Sequence, residues 1–168
     1  MKILKTMPLK LILLLILPVL LSGCLPGSGS GGSKIDGGVW YSGDAGKTLT
    51  QANDILTVKG KIADIANVNI NQITLDPQDT QAVYLATETN GIIYSLDGGR
   101  SWQQFKSLNK GNVKDVKVDP KNKCIIYAIA ENKLFKSVNC GRDFDNVYFH
   151  QKPNVVLTAV EIDSYNPK

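Results

Sequence analysis

The chain has few of the side chains on which most enzyme chemistry depends. Its 168 residues include one histidine, His150, three cysteines, three glutamates and two arginines. A histidine-based nucleophilic triad, a metal site with paired Cys or His spacing and a glycine-rich phosphate loop are all missing from the sequence. We therefore expect no cofactor and no bound metal ion.

A run of basic residues is also missing. The net charge of +4 counts 19 Lys and Arg against 15 Asp and Glu, but Lys2, Lys5 and Lys10 lie together near the N-terminus. Without these three lysines, 16 basic residues face 15 acidic ones, a net charge of +1. With no basic stripe or cluster, the sequence predicts no nucleic-acid partner.

The first 36 residues are typical of an exported protein. After the three lysines, residues 11–21 are apolar, which is shorter than a membrane span of about 20 residues. The run ends in Leu21-Ser22-Gly23-Cys24, which is similar to a bacterial lipobox, in which the cysteine is diacylated and becomes the new N-terminus. A plain secretory signal with an incidental cysteine is the alternative.

We predict that residues 1–23 are a lipoprotein signal peptide and that residues 24–36, rich in Gly and Ser, are a flexible tether. A lipid on Cys24 would then hold the protein on a membrane of the bacterial cell envelope, on its extracytoplasmic side. Two acyl chains suffice for stable anchoring, because each buried methylene contributes about 0.8 kcal/mol.

One eight-residue pattern occurs three times: a hydroxyl, any residue, Asp or Asn, any residue, Gly, a base, a small or polar residue and a large apolar residue. We name the copies box 1 (42–49), box 2 (95–102) and box 3 (137–144). Their defining residues are Ser42, Asp44, Gly46, Ser95, Asp97, Gly99, Trp102, Ser137, Asn139, Gly141 and Phe144. Asp and Asn side chains accept nearby backbone N–H groups and Gly supplies a positive φ, so each box predicts a hairpin turn. The last residue of each box, Leu49 in box 1, is expected to pack inward.

Short β-prone runs flank each box. Boxes 2 and 3 lie 42 residues apart, as expected for a four-stranded propeller repeat. We predict strands at 38–42, 48–51, 72–75, 82–87, 91–95, 101–105, 113–118, 124–130, 133–137, 144–149 and 155–162. Residues 53–71 are predicted to form a loop.

The boxes resemble the Asp-box, or BNR, repeat of sialidase-like, sortilin-like and xyloglucan-degrading propellers. Box 2 matches fully, whereas box 1 ends in Leu49 and box 3 has Asn139 for Asp and Asp143 for Ser or Thr. The resemblance runs from about residue 37 to the C-terminus. It implies an all-β fold over residues 37–168, a partial β-propeller of about three repeat-equivalents of four-stranded antiparallel blades. In that family the box is a structural turn, away from the binding face.

The predicted strands amount to half a blade, two whole blades and one further inner strand. Closed propellers have at least about four blades. Three interpretations stay open: part of a longer chain, a ring of several copies, or an open stack of blades.

Cys124 and Cys140 are predicted to form a disulfide. If strands 124–130 and 133–137 turn near Asn132, paired residue numbers add up to 264, which is also the sum for the two cysteines. An exported compartment permits such a bond. Two free buried thiols are the alternative.

Two classes of function stay open. The first is a non-enzymatic, membrane-anchored propeller that binds a protein or glycan through the loops opposite the boxes. The candidate residues in these loops are Glu88, Thr89, Asn90, Asn109, Lys110, Asn112, Glu131 and Asn132.

The second class is the N-terminal part of a glycoside hydrolase of the sialidase or xyloglucanase kind. The resemblance implies an arginine triad in a sialidase, but Arg100 and Arg142 both lie in boxes. Glu88 and Glu131 could form a carboxylate pair at the about 5–10 Å that glycoside hydrolysis uses. As solvated turn residues they need no such role, so we favour a binding module and assign no catalytic residue.

Overall fold

The computed structural model describes residues 37–56, 62–152 and 154–165, and the regular elements among them are β-strands. The predicted signal peptide, the tether and Cys24 lie outside these residues. The strands are β1 (Trp40–Tyr41), β2 (Thr50–Gln51), β3 (Asp54–Leu56), β4 (Ile62–Asp64), β5 (Ile70–Asp76), β6 (Asp79–Thr87), β7 (Ile92–Ser95), β8 (Gln103–Gln104), β9 (Val113–Val118), β10 (Ile126–Ala130), β11 (Lys133–Ser137) and β12 (Asp145–Phe149).

Two antiparallel sheets of four strands each form the centre of the structure. Strands β5 to β8 make one sheet and β9 to β12 the other, each in sequence order. We name them blade 2 and blade 3. The hairpin β1–β2 carries box 1 and corresponds to the outer half of a blade, which we name half-blade 1. The predicted all-β fold, a partial β-propeller, is confirmed.

Strand β6 shows why the blades stack. Val83 and Leu85 face half-blade 1, in a core with Ile65, Ile93 and Trp102. The alternate residues Ala82, Tyr84 and Ala86 face blade 3, in a core with members of β9 and β10 such as Val116 and Ala128. Successive strand residues point to opposite faces, so a strand that is apolar on both faces must lie between two layers.

The segment predicted to be a loop, residues 53–71, instead contains the hairpin β3–β4. Its first strand runs beside Trp102: the Leu56 N–H donates to the Trp102 carbonyl at 2.9 Å, and the Trp102 N–H donates to the Asp54 carbonyl at 3.0 Å. Ile65 follows the hairpin and is completely buried. The loop prediction was wrong because these partners are distant in sequence.

Residues 155–162, predicted to be a strand, form no ladder in the structure. The Leu157 N–H donates to the Glu131 carbonyl at 2.9 Å, and the Val160 N–H donates to Asp115 Oδ2 at 3.1 Å. These two hydrogen bonds are isolated. A β-strand requires a continuous ladder of backbone hydrogen bonds to a neighbouring strand. No such neighbour is present among the described residues.

The disulfide between Cys124 and Cys140 is present, which confirms the predicted pairing. The register predicted for the two strands was off by one residue: Ile126 pairs with Ser137, so paired residue numbers add up to 263 and not to 264. The cysteines lie just beyond the paired strands, where the Cys140 N–H donates to the Cys124 carbonyl at 3.0 Å.

Several apolar side chains remain exposed at the two outer faces of the stack. Ile73 and Leu75 of β5 pair with Leu85 and Val83, so they point toward the side of half-blade 1. They are 55% and 60% exposed, and the described part of half-blade 1 consists of outer strands only. The prediction that Leu49 packs inward was wrong: its side chain is 61% exposed, and it lies within a run of exposed residues from 45 to 51.

Candidate functional site

Each box is a turn that joins two outer strands: β1 to β2, β7 to β8 and β11 to β12. In box 2 the Ser95 hydroxyl donates to Asp97 Oδ1 at 2.7 Å and accepts the Gly99 N–H at 2.8 Å. Asp97 Oδ1 also accepts the backbone N–H groups of Arg100 and Ser101, each at 2.9 Å. The turn therefore satisfies its own polar groups and leaves little free for a ligand.

Box 1 has the same pattern. The Gly46 N–H donates to the Ser42 hydroxyl at 2.7 Å, and the Thr48 N–H and hydroxyl donate to the two oxygens of Asp44 at 2.9 and 2.7 Å. The backbone N–H of Thr48, followed by the hydroxyls of Thr48 and Ser42, lowers the pKa of Asp44. The Asp44 carboxylate is thus occupied by its own turn.

Box 3 reverses one of these bonds. In box 2 the Ser101 hydroxyl donates to Asp97 Oδ2 at 2.6 Å. In box 3 Asn139 Nδ2 donates to Asp143 Oδ2 at 3.0 Å, while Asn139 Oδ1 still accepts the Asp143 N–H. The two departures from the repeat that the sequence shows, Asn139 and Asp143, therefore compensate each other.

The aromatic residues that end boxes 2 and 3 face the cores between layers. Trp102 is 1% exposed, and its indole N–H donates to the Ala52 carbonyl at 2.7 Å. Phe144 packs against Phe105, with ring centroids 5.5 Å apart. Arg100 leaves box 2 to cover Tyr41, with its guanidinium 4.6 Å from the ring centroid, so its charge serves a contact between layers.

Because consecutive antiparallel strands reverse direction, the turns β6–β7, β8–β9 and β10–β11 lie at the end of each blade opposite the boxes. We name this the loop end. The eight predicted ligand-binding residues all lie there.

The loops 88–91 and 105–112 are bound to each other. Gln104 Nε2 donates to the carbonyls of Asn90 at 2.6 Å and Asn109 at 2.8 Å. The Gly111 N–H donates to the Thr89 carbonyl at 2.9 Å. Lys110, in the same loop, is exposed. These bonds hold the two loops in a fixed relation.

Glu88 and Asn112 each bind a neighbouring asparagine. Asn69 Nδ2 donates to Glu88 Oε2 at 2.7 Å, and Asn71 Nδ2 donates to Asn112 Oδ1 at 3.0 Å. The second bond crosses from blade 2 to blade 3. Glu88 therefore has a structural partner of its own.

A groove of about 490 Å³ at the loop end brings three of the predicted residues together. It is lined by Asn112, Lys114, Glu131, Asn132, Val155 and Val156. Sequence reasoning missed Lys114, which it placed within a strand, and the two valines, because no local pattern shows that residues 155 and 156 return beside the β10–β11 turn.

Glu131 and Asn132 have different positions in this groove. Asn132 is 8% exposed, and its side-chain N–H donates to the His150 carbonyl at 2.9 Å, which anchors the turn. Glu131 has a positive φ of 57° and an exposed side chain. Glu88 does not line the groove, so the structure does not bring the two glutamates together in one cavity.

The groove offers one carboxylate, one ammonium group, two amides and an apolar wall. This combination can bind a polar chain through hydrogen bonds and charge, and Glu131 is the carboxylate that the described residues place in it. Within residues 37–56, 62–152 and 154–165, no three His, Cys, Asp or Glu side chains cluster to hold a metal ion. The same residues contain no helix that is long and apolar enough to cross a membrane.

The stacked four-stranded sheets define this protein as a β-propeller module. Residues 37–163 match the family model Sortilin-Vps10, described as "Sortilin, neurotensin receptor 3". The chain belongs to this family.

A curated relative is the Vacuolar protein sorting/targeting protein 10 of Lodderomyces elongisporus, 29% identical over 82 residues, which are 46% of this chain and 6% of that protein. Two similar solved structures are an ancestral GH74 enzyme (28% identity, TM-score 0.45, 47% of this chain and 10% of that one) and the GH74 enzyme of Niastella koreensis (20% identity, TM-score 0.46, 65% of this chain and 18% of that one). The chain thus spans a small part of the length of each.

Proposed function

We propose that this protein is a lipid-anchored, extracytoplasmic binding module that takes a protein or glycan segment at its loop end, without catalysis. The observation that carries the proposal is the loop-end groove, which collects Asn112, Glu131 and Asn132 from two different turns. Such concave sites with a few placed polar groups are the usual form of a binding site.

The rigidity of the groove supports this proposal. Two hydrogen bonds join Asn132 to His150. The Asn132 side-chain amide donates to the His150 carbonyl, and the His150 N–H donates to the Asn132 carbonyl, each at 2.9 Å. Asn112 is tied to Asn71 across the blades. Groups that are already ordered lose little conformational entropy when a ligand binds.

A polypeptide segment fits the groove chemistry better than a sugar ring. Glu131 and Lys114 supply opposite charges, Asn112 an amide, and Val155 and Val156 an apolar wall. Aromatic side chains, on which sugars commonly stack, do not line it. The relative named for protein sorting and targeting also favours a protein ligand.

Binding can be tested with the full chain against a random-sequence peptide library and a panel of soluble polysaccharides. Glu131→Gln keeps the size of the side chain and removes its charge, so we expect the affinity for a selected ligand to fall about tenfold. The matched control is Glu88→Gln, at the same end but outside the groove, which should bind as the unaltered chain does. Equal affinity of all three proteins would refute the groove as the site.

The absence of catalysis has its own test. The full chain is incubated with the same polysaccharides and the release of reducing sugar is measured. We expect no release above the buffer control. Release that disappears in Glu131→Gln would show that the loop end is a hydrolytic site and would overturn this part of the proposal.

The lipid anchor rests on the lipobox-like segment before Cys24, so Cys24→Ser is the direct test. In a bacterial host, the unaltered chain should fractionate with membranes and gain the mass of a diacylglyceryl group after loss of residues 1–23. The variant should keep its full unacylated mass. An unaltered chain that is secreted without lipid would indicate a plain signal peptide.

A further inference from the structure

A second cavity lies at the opposite end of the stack, between blades 2 and 3. It measures about 250 Å³ and is lined by Asp76, Asp79, Ala82, Tyr84, Tyr94, Leu96, Phe105, Lys123 and Cys140. These residues come from the end of β5, from β6 and β7, from the residue after β8, from the turn before β10, and from boxes 2 and 3. We name it the box-end cleft. It is separate from the groove proposed above and does not depend on its function.

Asp76 is the unusual residue of this cleft. It is 2% exposed, and its Oδ1 accepts the Gln78 N–H at 2.8 Å. Its other oxygen, Oδ2, is buried without a hydrogen-bond partner in the described part of the chain. A buried carboxylate oxygen without a hydrogen-bond donor is costly in free energy, so a donor from outside the chain would relieve that cost.

The corresponding residue of blade 3 shows that the turn itself does not require this arrangement. Asp119 occupies the same place in the Asp-Pro turn, and its Oδ1 accepts the N–H groups of both Lys121 and Asn122, at 2.7 and 3.0 Å. Its Oδ2 is not left buried and unpartnered. The Asp-Pro turn therefore does not require the buried, unpartnered oxygen that Asp76 carries.

The charges around the cleft leave an excess of one negative charge. Asp79 Oδ2 lies 3.8 Å from Lys123 Nζ, a long contact between two partly exposed side chains. Among the described residues, no Lys or Arg forms an ion pair with Asp76. Burial, and then the charge of Asp76, raises the pKa of Tyr84 to about 12, so its hydroxyl stays neutral and can face a cation or a carboxylate.

The aromatic residues complete an environment suited to an organic cation. Tyr84, Tyr94 and Phe105 form a stack with centroid distances of 4.4 to 6.4 Å. Aromatic rings attract cations through their quadrupole and also contact the methylene groups that an alkylammonium carries. The described residues hold no cluster of three metal-ligating groups, which favours an ammonium over a divalent metal.

We propose that the box-end cleft binds a primary alkylammonium group, with Asp76 and Asp79 as its counter-charges. The ammonium could belong to a free amine or to the lysine side chain of a partner. Either source presents the same chemistry: one positive charge, three N–H donors and a short apolar stem.

The test uses the full chain in isothermal titration calorimetry. The probes are n-butylammonium chloride, N-acetyl-lysine methylamide and, as the neutral analogue, n-butanol. We expect the two amines to bind and butanol not to bind. Binding of butylammonium alone would identify a free amine as the ligand class, whereas binding of both would also admit a lysine side chain.

Asp76→Asn keeps the oxygen that caps the turn and removes the charge, so it should weaken butylammonium binding about tenfold. Asp119→Asn is the matched control and should bind as the unaltered chain does. If Asp76→Asn does not fold, Asp79→Asn replaces it, with an expected loss of at least threefold. The proposal fails if the unaltered chain binds no amine, if calcium chloride binds and the amines do not, or if the Asp76 or Asp79 variant binds as tightly as the control.

Discussion

The variant Gly141→Ala tests the packing of blade 3 against blade 2, because it adds a single Cβ atom where box 3 meets Phe105. The glycines in the fifth position of the boxes, Gly46, Gly99 and Gly141, have positive φ angles of 85°, 88° and 79°. A Cβ at Gly46 would meet nothing within 4 Å, and one at Gly99 would meet Trp102 at 3.5 Å, an ordinary contact. A Cβ at Gly141 would overlap the ring of Phe105.

At each of the three positions, alanine in the left-handed conformation costs about 1–2 kcal/mol of unfolding free energy. The reduced entropy of the unfolded chain offsets about 0.4–1 kcal/mol of it, which leaves about 1 kcal/mol at Gly46 and Gly99. At Gly141 the ring of Phe105 must also move, although it stacks on Tyr94 at 4.4 Å. Overpacking of this kind costs about 1–3 kcal/mol, so the total is about 2–4 kcal/mol.

The measurement is urea unfolding of the full chain followed by tryptophan fluorescence, without reductant. We expect Gly46→Ala and Gly99→Ala to lose about 1 kcal/mol of unfolding free energy and Gly141→Ala to lose clearly more. In a Phe105→Leu background the additional cost of Gly141→Ala should vanish. If Gly141→Ala and Gly46→Ala are equally stable, box 3 does not lie against Phe105 and the stacking of the two blades is wrong.

Three further predictions concern stability. Reduction of the Cys124–Cys140 disulfide, whose cysteines are 16 residues apart, should lower the unfolding free energy by about 3 kcal/mol, and the same reductant should not affect the Cys124→Ser/Cys140→Ser variant. Burial alone would raise the pKa of Asp97, but hydrogen bonds from Ser101, Ser95 and Arg100 outweigh it and lower that pKa to about 2. The stability that the Asp97 carboxylate contributes is therefore complete above pH ~4 and is lost as the pH falls toward 2. In acid unfolding, the Asp97→Asn variant should lose less unfolding free energy over this range than the unaltered chain. The raised pKa of Tyr84 affects stability at alkaline pH, because tyrosine in the unfolded chain ionises near pH ~10. The unfolding free energy should therefore fall between pH 10 and 12, and it should fall less in the Tyr84→Phe variant.

The parts of the fold that the sequence predicted are those whose pattern is local. The strands at 113–118 and 133–137 have the predicted bounds, because alternate residues such as Val116 and Val118 are apolar and a box or a turn follows directly. The disulfide was predictable because both cysteines belong to one hairpin.

The parts that were missed depend on distant partners. The hairpin β3–β4 forms where Trp102 lies beside it, 46 residues or more along the chain from β3. Residues 155–162 have strand-like composition but no ladder partner among the described residues. Asn112 and Glu131, the turn residues of the groove, were among the predicted ligand-binding residues. Val155 and Val156, its apolar wall, were missed because no local sequence pattern shows that this segment returns beside the β10–β11 turn.

The alignment of the two blades follows the length of the repeat. Three side chains of blade 2 donate across to backbone carbonyls of blade 3: Asn71 to Val113 at 2.7 Å, Thr74 to Val116 at 2.8 Å and Gln78 to Asp119 at 3.0 Å. The partners are 42, 42 and 41 residues apart, which equals the 42-residue spacing of boxes 2 and 3 in two cases and falls one residue short of it in the third.

Equivalent residues of successive repeats therefore lie side by side, and the bonds at both ends of β5 prevent β9 from sliding along it. A shift of one strand residue, about 3.3 Å, would break all three bonds. Within blade 3, the pairing of Val113 with Ala130 keeps the start of β9 beside the turn that carries Glu131. The pairing of β9 with β10 thus decides that Asn112 and Glu131 meet in the groove. An insertion of one residue in the β8–β9 loop should be tolerated, because the bonds from β5 still hold β9 in place, whereas an insertion within β9 should disrupt the groove even if the boxes remain intact.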